Sequence, residues 1–206
     1  MEYLYDGPVR AKARLILAHG AGAPMDSPFM ERIAGGVAQH GIRVCRFEFP
    51  YMAKRRIEGT RGGPDRAPVL TATWHEVIEA HRHKGTLFIG GKSMGGRYAT
   101  MVCDGAGVDG VVCLGYPFHP PGKPGRPRIE HLEALKTPCM ILQGTRDALG
   151  TQDEVTGYRL SRAISVRFFE DGDHSLKPRK RSGRTEEQAL DEAIEAIAAF
   201  IADTAG

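Results

Sequence analysis

Six short apolar runs recur along the chain, and what separates them is helical spacing or a turn rich in Gly and Pro. They are LILA (15–18), IRVCRFEF (42–49), TLFIG (86–90), VDGVVCL (108–114), PCMILQG (138–144) and SVRFFE (165–170). Most are apolar at consecutive rather than alternate positions, so both faces of each strand must be covered. Strands of that kind, separated by helices, form a parallel sheet between two helical layers. The helical pattern is clear in Val69, Leu70, Trp74, Val77 and Ile78, and again in Leu190, Ile194, Ile197 and Ile201. Ser27 followed by Pro28 marks the start of a helix running to about residue 40. Residues 50–65 read as a polar, basic loop. Residues 115–128 are too Pro-rich for a strand or helix interior. The expectation is a single α/β domain over residues 1–206, with a mostly parallel sheet of six to seven strands. The first dozen residues can add one strand at an edge.

Composition removes other classes. Hydrophobic residues are 41% and charged residues 26% of the 206, which excludes wholesale disorder. No apolar run approaches the roughly 20 residues of a membrane helix. Residues 1–12 have an early acid and no apolar core, unlike a secretion signal. Cys45, Cys103, Cys113 and Cys139 form no C-x-x-C pair and three lie inside strand-like runs. They read as buried thiols in a reducing compartment, so a cytoplasmic location is expected. The net charge of +3 is unevenly placed. Segment 54–66 holds five basic and two acidic residues, and segment 177–184 five basic and no acidic ones, which leaves the rest of the chain net acidic.

The strongest chemical signal is Gly91-Lys92-Ser93-Met94-Gly95, directly after TLFIG and directly before a helical pattern. A serine on a sharp strand-to-helix turn is presented as a nucleophile, and residues two positions away must lack side chains to let the turn close. Two phosphate-loop readings fail. A P-loop would need Gly where Thr86 stands. A dinucleotide fingerprint in His19-Gly20-Ala21-Gly22 would need Gly where Met25 stands, and Pro24 interrupts it.

A serine nucleophile needs a base, and the base an orienting acid, each on a loop after a strand. Only His119, His131 and His174 follow Ser93. His174 comes four residues past the last strand and is the expected base; His131 looks structural. Asp147, after PCMILQG, is the expected acid, with Asp153 assigned to a helix start. The backbone N–H groups of Met94 and Ala21, with Gly22 next, are the expected oxyanion donors. His19 shapes that loop. No cofactor is expected, and no His/Cys set has metal-ligand spacing.

The Gly91–Gly95 turn, Asp147, His174 and the loop His19–Gly22 together resemble the α/β-hydrolase superfamily across nearly the whole chain. GKSMGGR, HGAGA and the small size look like a group of cap-less predicted hydrolases. That group is related to dienelactone hydrolases and to the hydrolase-like domain of an NSL chromatin complex subunit. The resemblance implies acyl transfer to water through an acyl-enzyme intermediate, with an ester, thioester or related small to medium substrate. Dienelactone hydrolases carry Cys where this chain has Ser93, so their activity is not implied. The dozen residues before LILA are too few for the two further strands of eight-stranded members, and a lid domain has no room.

Loops leaving the carboxyl ends of parallel strands form the site. That places both basic segments, with Lys92 and Arg97, near the rim, suiting either an anionic substrate or merely a solvated surface. Tyr51, Met52, Lys92, Tyr116, Phe118 and His119 are the expected substrate contacts. Nucleic acid is disfavoured because the basic loops lack interleaved aromatics. The alternative from another class is a catalytically quiet scaffold that binds a protein partner. A peptidase or acyltransferase, and any oligomeric state, stay open.

Overall fold

Ser93 stands at the carboxyl end of the middle strand of a seven-stranded sheet, and the chain order explains why. The computed structural model describes residues 1–59 and 62–206. The strands are β1 (Tyr3–Asp6), β2 (Ala13–Ala18), β3 (Arg43–Phe47), β4 (Thr86–Lys92), β5 (Gly110–Leu114), β6 (Cys139–Gly144) and β7 (Ile164–Phe169). They lie in the order β1-β3-β2-β4-β5-β6-β7. Every neighbouring pair is parallel except β1 with β3. The chain winds outward from β2 to β3, then returns past β2 to lay down β4 and continues the other way. The crevice between the carboxyl ends of β2 and β4 is therefore a topological switch point, where open α/β sheets bind ligands.

The helices are α1 (Pro28–Gln39), α2 (Pro50–Glu58), α3 (Ala67–His81), α4 (Met94–Ala106), the short α5 (Gln152–Thr156) and α6 (Glu186–Ala205). Alternate strand residues feed two cores. Ile16, Ile89 and Val111 pack with Leu70, Trp74, Val77 and Val102 under α3 and α4. Leu15, Leu17, Phe88 and Val112 pack with α1 and α6 on the other face. All four cysteines are buried and free, and no helix among the described residues is long and apolar enough to cross a membrane.

The expected edge strand exists as β1, the antiparallel partner of β3. No cap domain is present among the described residues. Ser27 does occupy the N-cap of α1 with Pro28 at its first position, but its side chain makes no capping bond.

One expectation is overturned. Residues 50–58, read as loop, form α2. Pro50 presets its first turn, and Gly59 closes it in the left-handed region at φ 64°. Two carboxylates then hold it from outside. Arg56 donates to Glu48 Oε1 at 2.6 Å and to Asp26 Oδ1 at 2.8 Å. Thr60 and Arg61, part of that expected loop and of the basic segment, lie outside the described residues.

Candidate active site

The turn after β4 carries the backbone signature of a strained elbow. Ser93 has φ 51° and ψ −116°, a conformation that costs a non-glycine residue about 1–3 kcal/mol. Its neighbours hold it there. Ser93 N–H donates to the Leu114 carbonyl at 2.9 Å, and the Ser93 carbonyl accepts from Arg97 N–H at 3.0 Å in the first turn of α4. The need for glycine on either side has a definite cause, the adjacent strand. A Cβ on Gly91 would stand 2.2 Å from the Ala18 carbonyl oxygen, and one on Gly95 2.6 Å from the same atom.

Three side chains from three loops meet in one line. Ser93 Oγ lies 2.8 Å from His174 Nε2, and His174 Nδ1 lies 2.7 Å from Asp147 Oδ2. The Nδ1–H tautomer satisfies both contacts, donating to Asp147 and leaving Nε2 to accept the Ser93 hydroxyl. Asp147 is 0% exposed, and every bond it makes restrains it. Its Oδ1 accepts from Leu149 N–H at 2.8 Å, and its Oδ2 also accepts from Gln143 Nε2 at 2.9 Å.

Gln143, in β6, is the positioning group that sequence reasoning missed. Its amide also donates to the Gly150 and Tyr116 carbonyls, and its Oε1 accepts from Tyr116 N–H at 2.8 Å. The available signal was a polar residue inside an otherwise apolar strand, since a buried amide must find partners.

The loop that delivers His174 is bent by two non-glycine residues in the left-handed region, Asp171 (φ 55°) and Leu176 (φ 65°). Asp173 ties it together, Oδ1 accepting from Ser175 N–H at 2.8 Å and Lys177 N–H at 3.1 Å. Asp171 is clamped by Arg179 and Arg146, and the Arg179 guanidinium holds its carboxyl far below the usual carboxylate range. The His174 ring's hydrogen-bond partners among the described residues are Asp147 and Ser93, not these two carboxylates. Those two shape the loop.

The loop after β2 is also built around a histidine. His19 Nδ1–H donates to the Gly20 carbonyl at 2.6 Å, and its Nε2 accepts from Phe49 N–H at 3.1 Å. Burial pushes its pKa below the ordinary value, which keeps it neutral in that arrangement. Met94 opens α4, so its N–H has no partner within the helix and points out of its end.

Two hollows flank Ser93. One, of about 350 Å³, includes Ala21, Gly22, Phe29, Lys92 and His174 in its wall. The other, of about 300 Å³, includes Ala21, Met94, Arg97, Tyr98 and Arg128. Ala21 and Ser93 are common to both. A larger hollow of about 650 Å³ lies elsewhere, between the Pro8–Ala13 segment and α6, and none of the three aligned side chains is in its wall.

Of the expected substrate contacts, only Lys92 lines either hollow. The others are drawn into the core by their own bonds. Tyr51 hydroxyl donates to the Ala21 carbonyl at 3.0 Å, bracing that loop from behind. Met52 packs in the core under α3. Tyr116 hydroxyl donates to the Arg128 carbonyl at 3.0 Å. Phe118 stacks on Tyr158, and His119 is buried beside Glu154. The walls are Phe29 on one side and Tyr98, Arg97 and Arg128 on the other; of these only Arg97, at the end of GKSMGGR, was singled out by the sequence. Lys92 Nζ donates to the His174 carbonyl at 2.5 Å, and burial lowers its pKa to about 8. His131 is structural. Its Nε2 lies 2.9 Å from the Thr100 hydroxyl, which donates to the Arg97 carbonyl at 2.7 Å, and burial, with Arg97 adding repulsion, takes its pKa to about 4.

The basic segments are partly neutralised. Lys54 pairs with Glu58, Arg56 with Glu48 and Asp26, Lys177 with Glu186, Arg179 with Asp171 and Arg184 with Glu192.

A family model described as "Alpha/beta hydrolase domain" matches residues 11–202. Among solved structures, an alpha-beta serine hydrolase homologue from Coxiella burnetii is similar with a TM-score of 0.72 at 16% identity, covering 96% of this chain and 89% of that one. A serine hydrolase without a lid from Xanthomonas campestris is similar with a TM-score of 0.69 at 17% identity, covering 94% and 88%. A dienelactone hydrolase from Anabaena variabilis is similar with a TM-score of 0.71 at 18% identity, covering 98% and 90%.

Proposed function

Because this chain belongs to the alpha/beta hydrolase domain family, we propose that it is a serine hydrolase that cleaves a small or medium acyl ester or thioester through an acyl-enzyme intermediate. One observation carries the reading. A serine held at φ 51° has its hydroxyl 2.8 Å from a histidine whose far nitrogen lies 2.7 Å from a buried aspartate.

Ser93 Oγ attacks the acyl carbonyl as His174 Nε2 takes its proton. Asp147 holds the Nδ1–H tautomer and stabilises the imidazolium that forms. The N–H groups of Met94 and Ala21, with Gly22 beside them, receive the oxyanion, where one such donor is worth roughly 10²–10³ in rate. His174 then protonates the leaving group, and the acyl-Ser93 ester is hydrolysed by a water that His174 activates in turn. Strain at Ser93 favours this role, because the side chain is already raised from the sheet toward the crevice.

The test is covalent. A fluorophosphonate probe labels Ser93 in the folded protein, and Ser93→Ala abolishes labelling and lowers ester turnover by about 10⁴ or more. Folded protein that resists the probe, or a Ser93→Ala variant that keeps its esterase activity, overturns the reading.

A further inference from the structure

The second hollow beside Ser93 is formed by two arginines with no carboxylate partner. Arg97 lies four residues along α4 from Ser93, and its guanidinium sits over the Tyr98 ring, 5.1 Å from the centroid. Arg128 reaches the same hollow from the long segment after β5. Its backbone is pinned at both ends, N–H to the Phe118 carbonyl at 2.6 Å and carbonyl to Tyr116 hydroxyl at 3.0 Å. Among the described residues neither guanidinium is paired with a carboxylate, unlike Arg56, Arg179 and Arg184 of the basic segments. Arg97 Nε is buried without a hydrogen-bond partner among them. The two cations feel each other, since burial and then Arg97 push the Arg128 pKa below the ordinary arginine value. The groups behind them, His131, Thr100 and Tyr116, are neutral and already bonded to one another. One acid, Asp65, shares the hollow, and its Oδ2 is engaged by Tyr51 N–H at 2.9 Å. Two partly buried guanidiniums that repel each other favour an anion between them, and the planar fork of arginine suits a carboxylate.

Given the hydrolase reading above, the two hollows have different roles. His174 must hand its proton to the leaving group, and His174 lines only the first hollow. The leaving group therefore lies there, beside Phe29, and the acyl chain lies in the second. We propose that Arg97 and Arg128 bind a carboxylate at the far end of the acyl chain, so that the substrate is a half-ester or half-thioester of a dicarboxylic acid. The bond from the acyl carbon to the leaving oxygen or sulfur breaks, water supplies the new hydroxyl, and the products are the free dicarboxylate and an alcohol or thiol.

The experiment compares nitrophenyl half-esters of glutaric, adipic and suberic acid with their neutral methyl diesters. The expected result is a preference for at least one half-ester of roughly 10- to 100-fold in kcat/KM, the range of a charge-assisted hydrogen-bonded pair. Arg97→Gln and Arg128→Gln should each reduce that ratio about 10-fold or more. Because the readout is a ratio within one variant, partial loss of folded protein cancels. Binding of the free dicarboxylate to Ser93→Ala protein, followed by calorimetry, should weaken with the same two substitutions. Ser93-dependent turnover of the neutral esters with no half-ester preference overturns this inference and leaves the hydrolase reading standing. If Ser93 neither labels with the fluorophosphonate nor turns over any ester, both fall.

Discussion

Lys92 offers a sharp test of how the ground beside the nucleophile is built. Its ammonium is enclosed between the His174 loop, Gly115 and the Phe29 ring. Burial lowers its pKa from 10.5 to about 8, against the partial support of Asp147 and Asp173. In the unfolded chain the same amine titrates near 10.5. Between those values the unfolded state binds more protons than the folded one, so this group makes stability rise with pH across that window. Below pH 8 the penalty is fully present, and it corresponds to about 3 kcal/mol. Lys92→Met removes the charge and keeps most of the volume. It also strands the His174 carbonyl, which costs about 1 kcal/mol at every pH. At pH 7 the variant should therefore be more stable than the parent by about 2 kcal/mol, and by pH 10 that advantage should shrink by about 2 kcal/mol. Urea unfolding of both proteins at a series of pH values measures this, because the titrations of groups remote from Lys92 cancel in the difference. Parallel stability curves would refute the reasoning. They would mean that the two carboxylates compensate the lost hydration fully and the amine titrates as it does in water.

Two further predictions concern the parts that hold the aligned side chains. Gly115 has φ +65°, and a Cβ there would stand 2.3 Å from the His174 carbonyl oxygen and 3.2 Å from His174 Nδ1. Gly115→Ala should displace the imidazole and slow fluorophosphonate labelling of Ser93 by about 10²-fold or more, the usual cost of a misplacement of about 1 Å; labelling at the parent rate would show that the loop yields freely. Gln143→Leu takes the side-chain partner from the Tyr116 N–H and the Gly150 carbonyl and one of the two donors from Asp147 Oδ2, at about 3 kcal/mol or more. Thermal unfolding should fall by about 5–10 °C, and an unchanged midpoint would mean that neighbouring groups re-pair.

Much of this was legible because it depends on local patterns that admit few alternatives. Continuous apolar runs such as TLFIG and VVCL can only be strands covered on both faces. Ser93, Asp147 and His174 each stand just past such a run, so a parallel sheet delivers all three to one end. What was hidden depends on partners far away in sequence. The helix α2 is too polar for its pattern to stand out, with only Tyr51 and Met52 buried, and it rests on Arg56 reaching Asp26, 30 residues earlier. Tyr116 and Phe118 look like pocket walls because they follow a strand and are aromatic. Whether a ring faces the crevice or the core is decided by a bond such as Tyr116 hydroxyl to Arg128, which no local pattern encodes. Charge behaves the same way. Five cations of the conspicuous runs in 54–66 and 177–184 pair with nearby carboxylates and with α6. Arg97 and Arg128 are single cations more than two dozen residues apart, and neither belongs to a run. They become a pair because the segment after β5 folds back over the first turn of α4. An arginine placed to meet a substrate must lack a partner of its own, so clustering of charge in a sequence is a poor guide to it. The sequence already put Arg97 beside the nucleophile; that Arg128 joins it is visible only once the chain is folded.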